Sequence, residues 1–175
     1  MSNPERIAVI GAGLMGHGIA QIFAAHGHPV RLHDANLDIL NSAKDRVRAN
    51  LVNMAEQGVV FGDGVDEIVA RIHTTDDLAA ACAEAEFVFE AVYENLELKQ
   101  RIFADLDRLC PIETVLCSNT SVISITEIAE KAQHRQRIVG THFWNPPYLI
   151  PLVEVVRADE SADECLQATY DLLSL

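Results

Sequence analysis

The chain has no apolar run near the roughly 20 residues that a membrane-spanning helix needs, and its opening, Met1-Ser-Asn-Pro-Glu5, carries no signal-peptide pattern. Both absences predict a soluble, cytoplasmic protein with no membrane partner. Basic residues are scarce: 13 Lys and Arg against 26 Asp and Glu leave a formal charge of −13. No nucleic-acid partner is expected, because phosphate backbones are bound by clustered cations that release counterions. The four cysteines, Cys82, Cys110, Cys117 and Cys165, show neither CxxC nor zinc-finger spacing, which predicts reduced thiols and no disulfide framework. No HExxH or comparable pair occurs, so no metal site is expected. Repeats and low-complexity segments are absent too, and 175 residues at 49% apolar content suffice for one core-bearing domain.

What is present starts with Arg6-Ile-Ala-Val-Ile-Gly-Ala-Gly-Leu-Met-Gly16, a GxGxxG turn directly behind a short apolar strand. Gly11 permits the tight strand-to-helix turn, Gly13 leaves the backbone bare for a pyrophosphate, and Gly16 lets the next helix pack close to the sheet. With Leu14 and Met15 they form a candidate phosphate cradle at a positive helix N-terminus. The helix carries Ile19, Ala20, Ile22, Phe23 and Ala24 at helical spacing before His26-Gly-His-Pro29 stops it. A second strand, Val30-Arg-Leu-His33, then delivers Asp34 close to where a ribose-binding acid is expected, about 20 residues after the glycines. Its carboxylate suits ribose hydroxyls and would repel a 2′-phosphate. No arginine follows it at Ala35 or Asn36, so NAD is favoured over NADP.

Downstream, 37–56 reads as a long helix and 65–72 as a second one, an inserted helical hairpin longer than a simple crossover requires. Further strands are expected at 72–74, 87–92, 114–117, 137–141 and 152–156, with helices at 78–85, 95–109, 123–131 and 162–173. The alternation predicts an α/β fold, a Rossmann-type doubly wound and mostly parallel sheet. Ligands of such sheets lie beyond the carboxyl ends of the strands. That places Glu94 and Lys99 after the fourth strand, Ser118-Asn-Thr-Ser121 after the fifth, His142 and Asn145 after the sixth, and Glu154 on the returning strand. A histidine beside a carboxylate is equipped for proton transfer near neutral pH. Ser118 and Ser121 are alternatively helix-capping residues. The other histidines, His17, His26, His28, His33, His73 and His134, read as structural or surface positions.

Taken together, Gly11-Ala-Gly-Leu-Met-Gly16, Glu90-Ala-Val-Tyr-Glu94 with Lys99, Ser118-Asn-Thr-Ser121, and Thr141-His-Phe-Trp-Asn-Pro146 running into Leu152-Val-Glu-Val-Val156 resemble the NAD-binding domain of the L-3-hydroxyacyl-CoA dehydrogenases. The resemblance implies NAD-dependent oxidation of an L-3-hydroxyacyl-CoA to the 3-ketoacyl-CoA, a step of fatty-acid β-oxidation. His142 would be the catalytic base, Glu154 its partner, and Ser121 would bind the substrate oxygen. Glu94, Lys99, Ser121 and Asn145 would line the nicotinamide half of the cofactor site, and Asp34 would take the adenosine ribose. The hairpin would reach toward the CoA moiety.

Two features leave alternatives open. The hairpin tip, Gln57-Gly-Val-Val-Phe-Gly-Asp-Gly64, is neutral to acidic, with Arg46 and Arg48 as the cations nearby; and Asn145 to Glu154 with Asn95-Leu-Glu-Leu-Lys99 also resemble dehydrogenases of small polar hydroxy acids, of the L-gulonate or carnitine type. Family members continue into a C-terminal helical domain that carries most of a homodimer contact. The expectation is therefore that 1–175 is the NAD-binding domain of a longer protein, with an exposed apolar face near Leu172, Leu173 and Leu175. A non-catalytic NAD-binding module is the third reading.

Overall fold

The computed structural model describes residues 4–174, so the readings at Met1–Asn3 and Leu175 fall outside it. Strands β1 (Ile7–Ile10), β2 (Val30–His33), β3 (Ile72–Thr75), β4 (Phe87–Glu90), β5 (Val115–Ser118), β6 (Ile138–Phe143) and β7 (Val153–Arg157) form one sheet. Their order is β3-β2-β1-β4-β5-β6-β7, parallel throughout except for β7, which returns antiparallel to β6. Helices α1 (Leu14–Ala25), α2 (Leu37–Glu56), α3 (Val65–Ala70), α4 (Leu78–Cys82), α5 (Leu96–Leu109), α6 (Ile125–Ala129) and α7 (Asp163–Leu173) supply the connections and cover.

Alternation along the central strands explains why both sheet faces need a helical layer. Ile7 and Val9 of β1, with Phe87 and Phe89 of β4, join a core shared with α1, α2 and α7. Ala8 and Ile10, with Val88 and Leu116, point the other way into a core shared with α4, α5 and α6. A parallel sheet buried on both faces is the stable outcome of such near-continuous apolar strands. Asn36 and Asn95 start α2 and α5 by accepting backbone N–H bonds in the first turn. Such caps contribute about 1 kcal/mol each.

The strand order reverses between β1 and β4, and there the crevice opens. Gly11 leaves β1 beside Ala91, which leaves β4 with its N–H on the Ile10 carbonyl at 2.8 Å.

Element boundaries differ from the sequence reading where tertiary pairing intervenes. The helix expected over 65–72 stops at Ala70, since Ile72 pairs with Val30. Those expected over 78–85 and 123–131 shorten to five residues each. The sixth strand runs on to Phe143 because β7 offers partners to Thr141, His142 and Phe143, so His142 lies within the strand and not after it. Leu172 is buried against the core, leaving Tyr170 as the exposed apolar side chain of α7. No helix among the described residues is long and apolar enough to cross a membrane.

Candidate active site

The glycine-rich turn distinguishes packing from ligand space position by position. A Cβ on Gly11 would sit 2.7 Å from the Ala91 carbonyl oxygen, at a backbone φ of +98°, and one on Gly16 would sit 1.7 Å from the Gly11 carbonyl oxygen. Those two glycines are required by the protein's own backbone. A Cβ on Gly13 would meet nothing within 4 Å. The N–H groups of Gly13, Leu14 and Met15 find no acceptor among the described residues. Open space in front of unpaired donors at a helix N-terminus fits a dinucleotide pyrophosphate. Leu14 is exposed at this mouth, while Met15 packs partly on the core.

Asp34, directly after β2, is held by two backbone donors. One carboxylate oxygen accepts from the Ala12 N–H and the other from the Asn36 N–H, both at 2.8 Å. Each oxygen keeps lone-pair capacity for a hydroxyl donor. The acid thus ties the turn to the second strand.

On the other side of the switch point, His142 and Glu154 are directly opposed across β6 and β7. Nδ1 of His142 lies 2.7 Å from Glu154 Oε2, and Nε2 lies 3.1 Å from Ser121 Oγ. Because the carboxylate only accepts, Nδ1 carries the hydrogen and Nε2 keeps a lone pair toward the serine hydroxyl. The three residues come from the β5–α6 loop, β6 and β7. Asn145 is exposed just beyond β6, on a loop whose Pro147 packs against Gly18 of α1.

Glu94 and Lys99 meet, but not as two lining residues. Lys99 is 1% exposed; its ammonium contacts Glu90 Oε1 at 2.7 Å and Glu94 Oε2 at 3.3 Å. Glu90, fully buried, also accepts from Ser118 Oγ and the Val92 N–H, each at 2.7 Å. Glu94 reaches out of this network toward Ser121, accepting from its N–H at 3.1 Å and from the Thr120 hydroxyl. Partial burial pushes the Glu94 carboxyl up, but the Thr120 hydroxyl, the Lys99 ammonium and the Ser121 N–H outweigh it and hold the group below its ordinary range. Glu94 is therefore an anion in the crevice, and Lys99 supports it from beneath.

Neither serine caps a helix: Ser118 is committed to Glu90 and Ser121 to His142, and Ser124, at the cap position before α6, makes no side-chain cap bond. Sequence reading included Glu90 and Asn119 in its motifs without assigning them roles: Glu90, at the end of an apolar strand, is the buried partner of Lys99, and the Asn119 side chain accepts the Phe143 N–H at 2.9 Å and joins the β5 loop to β6. His17, read as a structural or surface position, is 5% exposed and bonded to the Gly13 carbonyl, and its burial holds its pKa below 6.5. On the hairpin, Arg48 pairs with Asp66 and Arg71 with Asp63, while Arg46 turns inward to the glycine-rich turn. A depression of about 940 Å³ lies at the opposite, amino-terminal end of the strands beside Glu5, Glu86 and Glu113, and holds none of the site residues above.

The chain is similar to known proteins over nearly its whole length. Residues 6–174 match the family model of the 3-hydroxyacyl-CoA dehydrogenase NAD binding domain. The chain is 39% identical over 172 residues to 3-hydroxyadipyl-CoA dehydrogenase of Escherichia coli strain K12, covering 98% of this chain and 36% of the relative. It is 40% identical over 160 residues to a probable 3-hydroxybutyryl-CoA dehydrogenase of Bacillus subtilis strain 168, covering 91% of this chain and 55% of the relative. The crystal structure of 3-hydroxybutyryl-CoA dehydrogenase from Escherichia coli K12 superposes with a TM-score of 0.93 at 38% identity, covering 99% of this chain and 36% of that one. The chain spans about one third to just over one half of these relatives' length. The cradle of unpaired N–H groups and this match over nearly the whole chain lead to one conclusion: the chain belongs to the 3-hydroxyacyl-CoA dehydrogenase family, as its NAD-binding domain.

Proposed function

We propose that residues 1–175 are the NAD-binding domain of a dehydrogenase that oxidises an L-3-hydroxyacyl-CoA to the 3-ketoacyl-CoA, with His142, Glu154 and Ser121 as its proton-transfer set. The observation that carries this reading is the line Glu154–His142–Ser121, at 2.7 and 3.1 Å, built on β6, β7 and the loop after β5 in the sheet whose first strand leads into the glycine-rich turn. Gly11, Gly13, Leu14, Met15 and Gly16 form the pyrophosphate cradle. Asp34 takes the adenosine ribose, and Glu94, Ser121 and Asn145 face the nicotinamide half, with Lys99 holding Glu94 in place.

Bound NAD⁺ supplies the hydride acceptor. The chain's own residues handle the proton. In the neutral imidazole of His142, Nδ1–H donates to Glu154, so Nε2 is the nitrogen with the lone pair and receives the proton of a substrate hydroxyl. Ser121 Oγ steadies that hydroxyl oxygen by a hydrogen bond. Glu154 stabilises the imidazolium that forms, and in the reverse reduction the same imidazolium returns the proton to the alkoxide oxygen. Glu94 presents a fixed negative charge beside Ser121, which favours the cationic nicotinamide of NAD⁺.

A second reading, a small polar hydroxy acid as substrate, is favoured by the hairpin, where Arg48 and Arg71 are spent on Asp66 and Asp63 and Arg46 on backbone carbonyls. By resemblance the complete protein is a homodimer with a second, helical domain. Four free thiols suit a reducing, cytoplasmic setting.

The test is calorimetric titration of NAD⁺ and NADP⁺ into the chain, followed by NADH oxidation with acetoacetyl-CoA. Selective NAD⁺ binding with turnover is the expected result. Binding with turnover only on small hydroxy or keto acids would replace the acyl-CoA reading by the second one. Binding without turnover on either substrate class would leave a cofactor-binding module.

A further inference from the structure

Arg46 projects from the middle of α2 onto the back of the glycine-rich turn. One terminal nitrogen of its guanidinium donates to the Ala12 carbonyl at 2.7 Å and to the Ile39 carbonyl at 3.1 Å, and the other to the Gly13 carbonyl at 3.3 Å. The Gly13 oxygen also receives His17 Nδ1 at 2.7 Å and the His17 backbone N–H at 3.3 Å. The Gly13 carbonyl can only accept, so the shorter contact puts the hydrogen of the neutral His17 ring on Nδ1. The Arg46 nitrogen 3.1 Å from that same Nδ1 is a close neighbour sharing the carbonyl, not a donor to the ring. Its Nε2 then accepts from the Asn50 amide at 3.4 Å, and the same amide donates to Gln21 Oε1 at 3.1 Å. From the opposite side, Asp34 holds the Ala12 N–H.

Peptide planarity converts these bonds into an aim. In a trans peptide group the carbonyl and the following N–H point in opposite directions. Drawing the Ala12 carbonyl toward α2 turns the Gly13 N–H away from α2, and drawing the Gly13 carbonyl does the same for the Leu14 N–H. Those are two of the donors without an acceptor among the described residues. The guanidinium charge behind them also adds to the positive end of α1, and a charge-assisted bond holds its geometry more firmly than a neutral one.

We infer that Arg46 is a positioning residue for the dinucleotide pyrophosphate: it aims the Gly13 and Leu14 N–H groups by clamping the carbonyls on the far side of the same peptide groups, and His17 completes the clamp. The role rests on the NAD-binding assignment and lies outside the glycine pattern that announces it. Arg46 itself touches no phosphate.

The test separates the pyrophosphate from the rest of the ligand. Calorimetry and NMR titrations of NAD⁺, ADP and adenosine are compared for the parent chain, Arg46→Met and Arg46→Lys, with thermal melts alongside. Arg46→Met is expected to weaken NAD⁺ and ADP about tenfold, the size of one charge-assisted contact, while adenosine binds as it does to the parent. Arg46→Lys keeps the charge but cannot span the Ala12 and Gly13 carbonyls, and should recover only part of the loss. An equal loss for all three ligands, or none, would overturn the clamp. If Arg46→Met does not fold, Arg46→Lys decides: ADP weakened relative to adenosine supports the clamp, and parental affinity for both overturns it. A parent chain that binds no NAD⁺ would instead defeat the cofactor reading on which the inference stands.

Discussion

His142 and Glu154 face each other in the one antiparallel strand pair of the sheet among the described residues, with Nδ1 and Oε2 2.7 Å apart. In an antiparallel pair, directly opposed residues place their side chains on the same face at close range. The returning strand thus delivers a carboxylate to the imidazole without a loop having to fold around it. It also leaves Nε2 directed at Ser121.

Replacing the base should separate chemistry from binding. His142→Ala is expected to lower NADH oxidation with acetoacetyl-CoA by about 10²- to 10⁴-fold while NAD⁺ affinity and melting temperature stay close to parental. Glu154→Gln should lower the rate in the same direction, by less. Rates that survive His142→Ala would remove the proposed proton-transfer role.

The glycines should divide into two kinds. Gly16→Ala places a Cβ 1.7 Å from the Gly11 carbonyl oxygen and is expected to destabilise the domain by at least about 2 kcal/mol. Gly13→Ala meets no protein atom within 4 Å, so its urea midpoint should change little while NAD⁺ affinity falls by about tenfold or more. Urea titrations and calorimetry on the two variants decide. Equal loss of stability in both would contradict the distinction.

Asp34 carries two duties that one substitution should expose together. Asp34→Ala removes acceptors from the Ala12 and Asn36 N–H groups, at a cost of about 1–3 kcal/mol, and should also weaken NAD⁺ and relax discrimination against NADP⁺. Parallel titrations of both nucleotides, with a melt, read both effects. Unchanged NAD⁺ affinity would cancel the ribose assignment.

Acid should act in two stages. Burial, reinforced by the nearby Arg46 charge and only partly opposed by the Gly13 carbonyl, holds the His17 pKa below 6.5. The unfolded chain therefore takes up this proton first, and the stability His17 contributes is present above about pH 6.5 and lost as the pH falls through its lower folded value. Burial raises the Asp107 carboxyl, but Arg137 and the Gln133 and His134 N–H groups more than offset it and hold it below 3.8. Its contribution is present above the ordinary carboxylate range and disappears at still lower pH. Urea midpoints taken from pH 8 to pH 3 should fall in both windows. His17→Ala should shrink the first drop, with His33, lowered by burial in the same way, supplying the remainder. Asp107→Asn should flatten the second and cost about 3–5 kcal/mol at neutral pH, because it leaves Arg137 buried without its partner. A midpoint independent of pH would refute both assignments.

Much of the fold was legible because its signals are local. An apolar strand, a GxGxxG turn, a helix, a second strand and a strand-end acid all lie within a few residues of the features that specify them. The long helix of the hairpin was read at its observed bounds, 37–56, from spacing alone. Boundaries failed where a distant strand decided them, as when β7 extended β6 through His142.

The sheet class, the position of the dinucleotide turn and the kinds of side chain that arrive at the strand ends are all written in the order of residues along the chain. Which of those side chains meet is settled by packing between distant segments. Lys99 vanishes beneath Glu94 because Glu90, nine residues earlier on a buried strand, demands a counter-charge. Arg46 and His17 converge on the turn because α2 lies across α1, a packing that no residue spacing within either helix encodes. Periodicity is written between near neighbours along the chain, whereas a hydrogen bond between distant residues depends on register, helix crossing and burial, which exist only once the chain has folded.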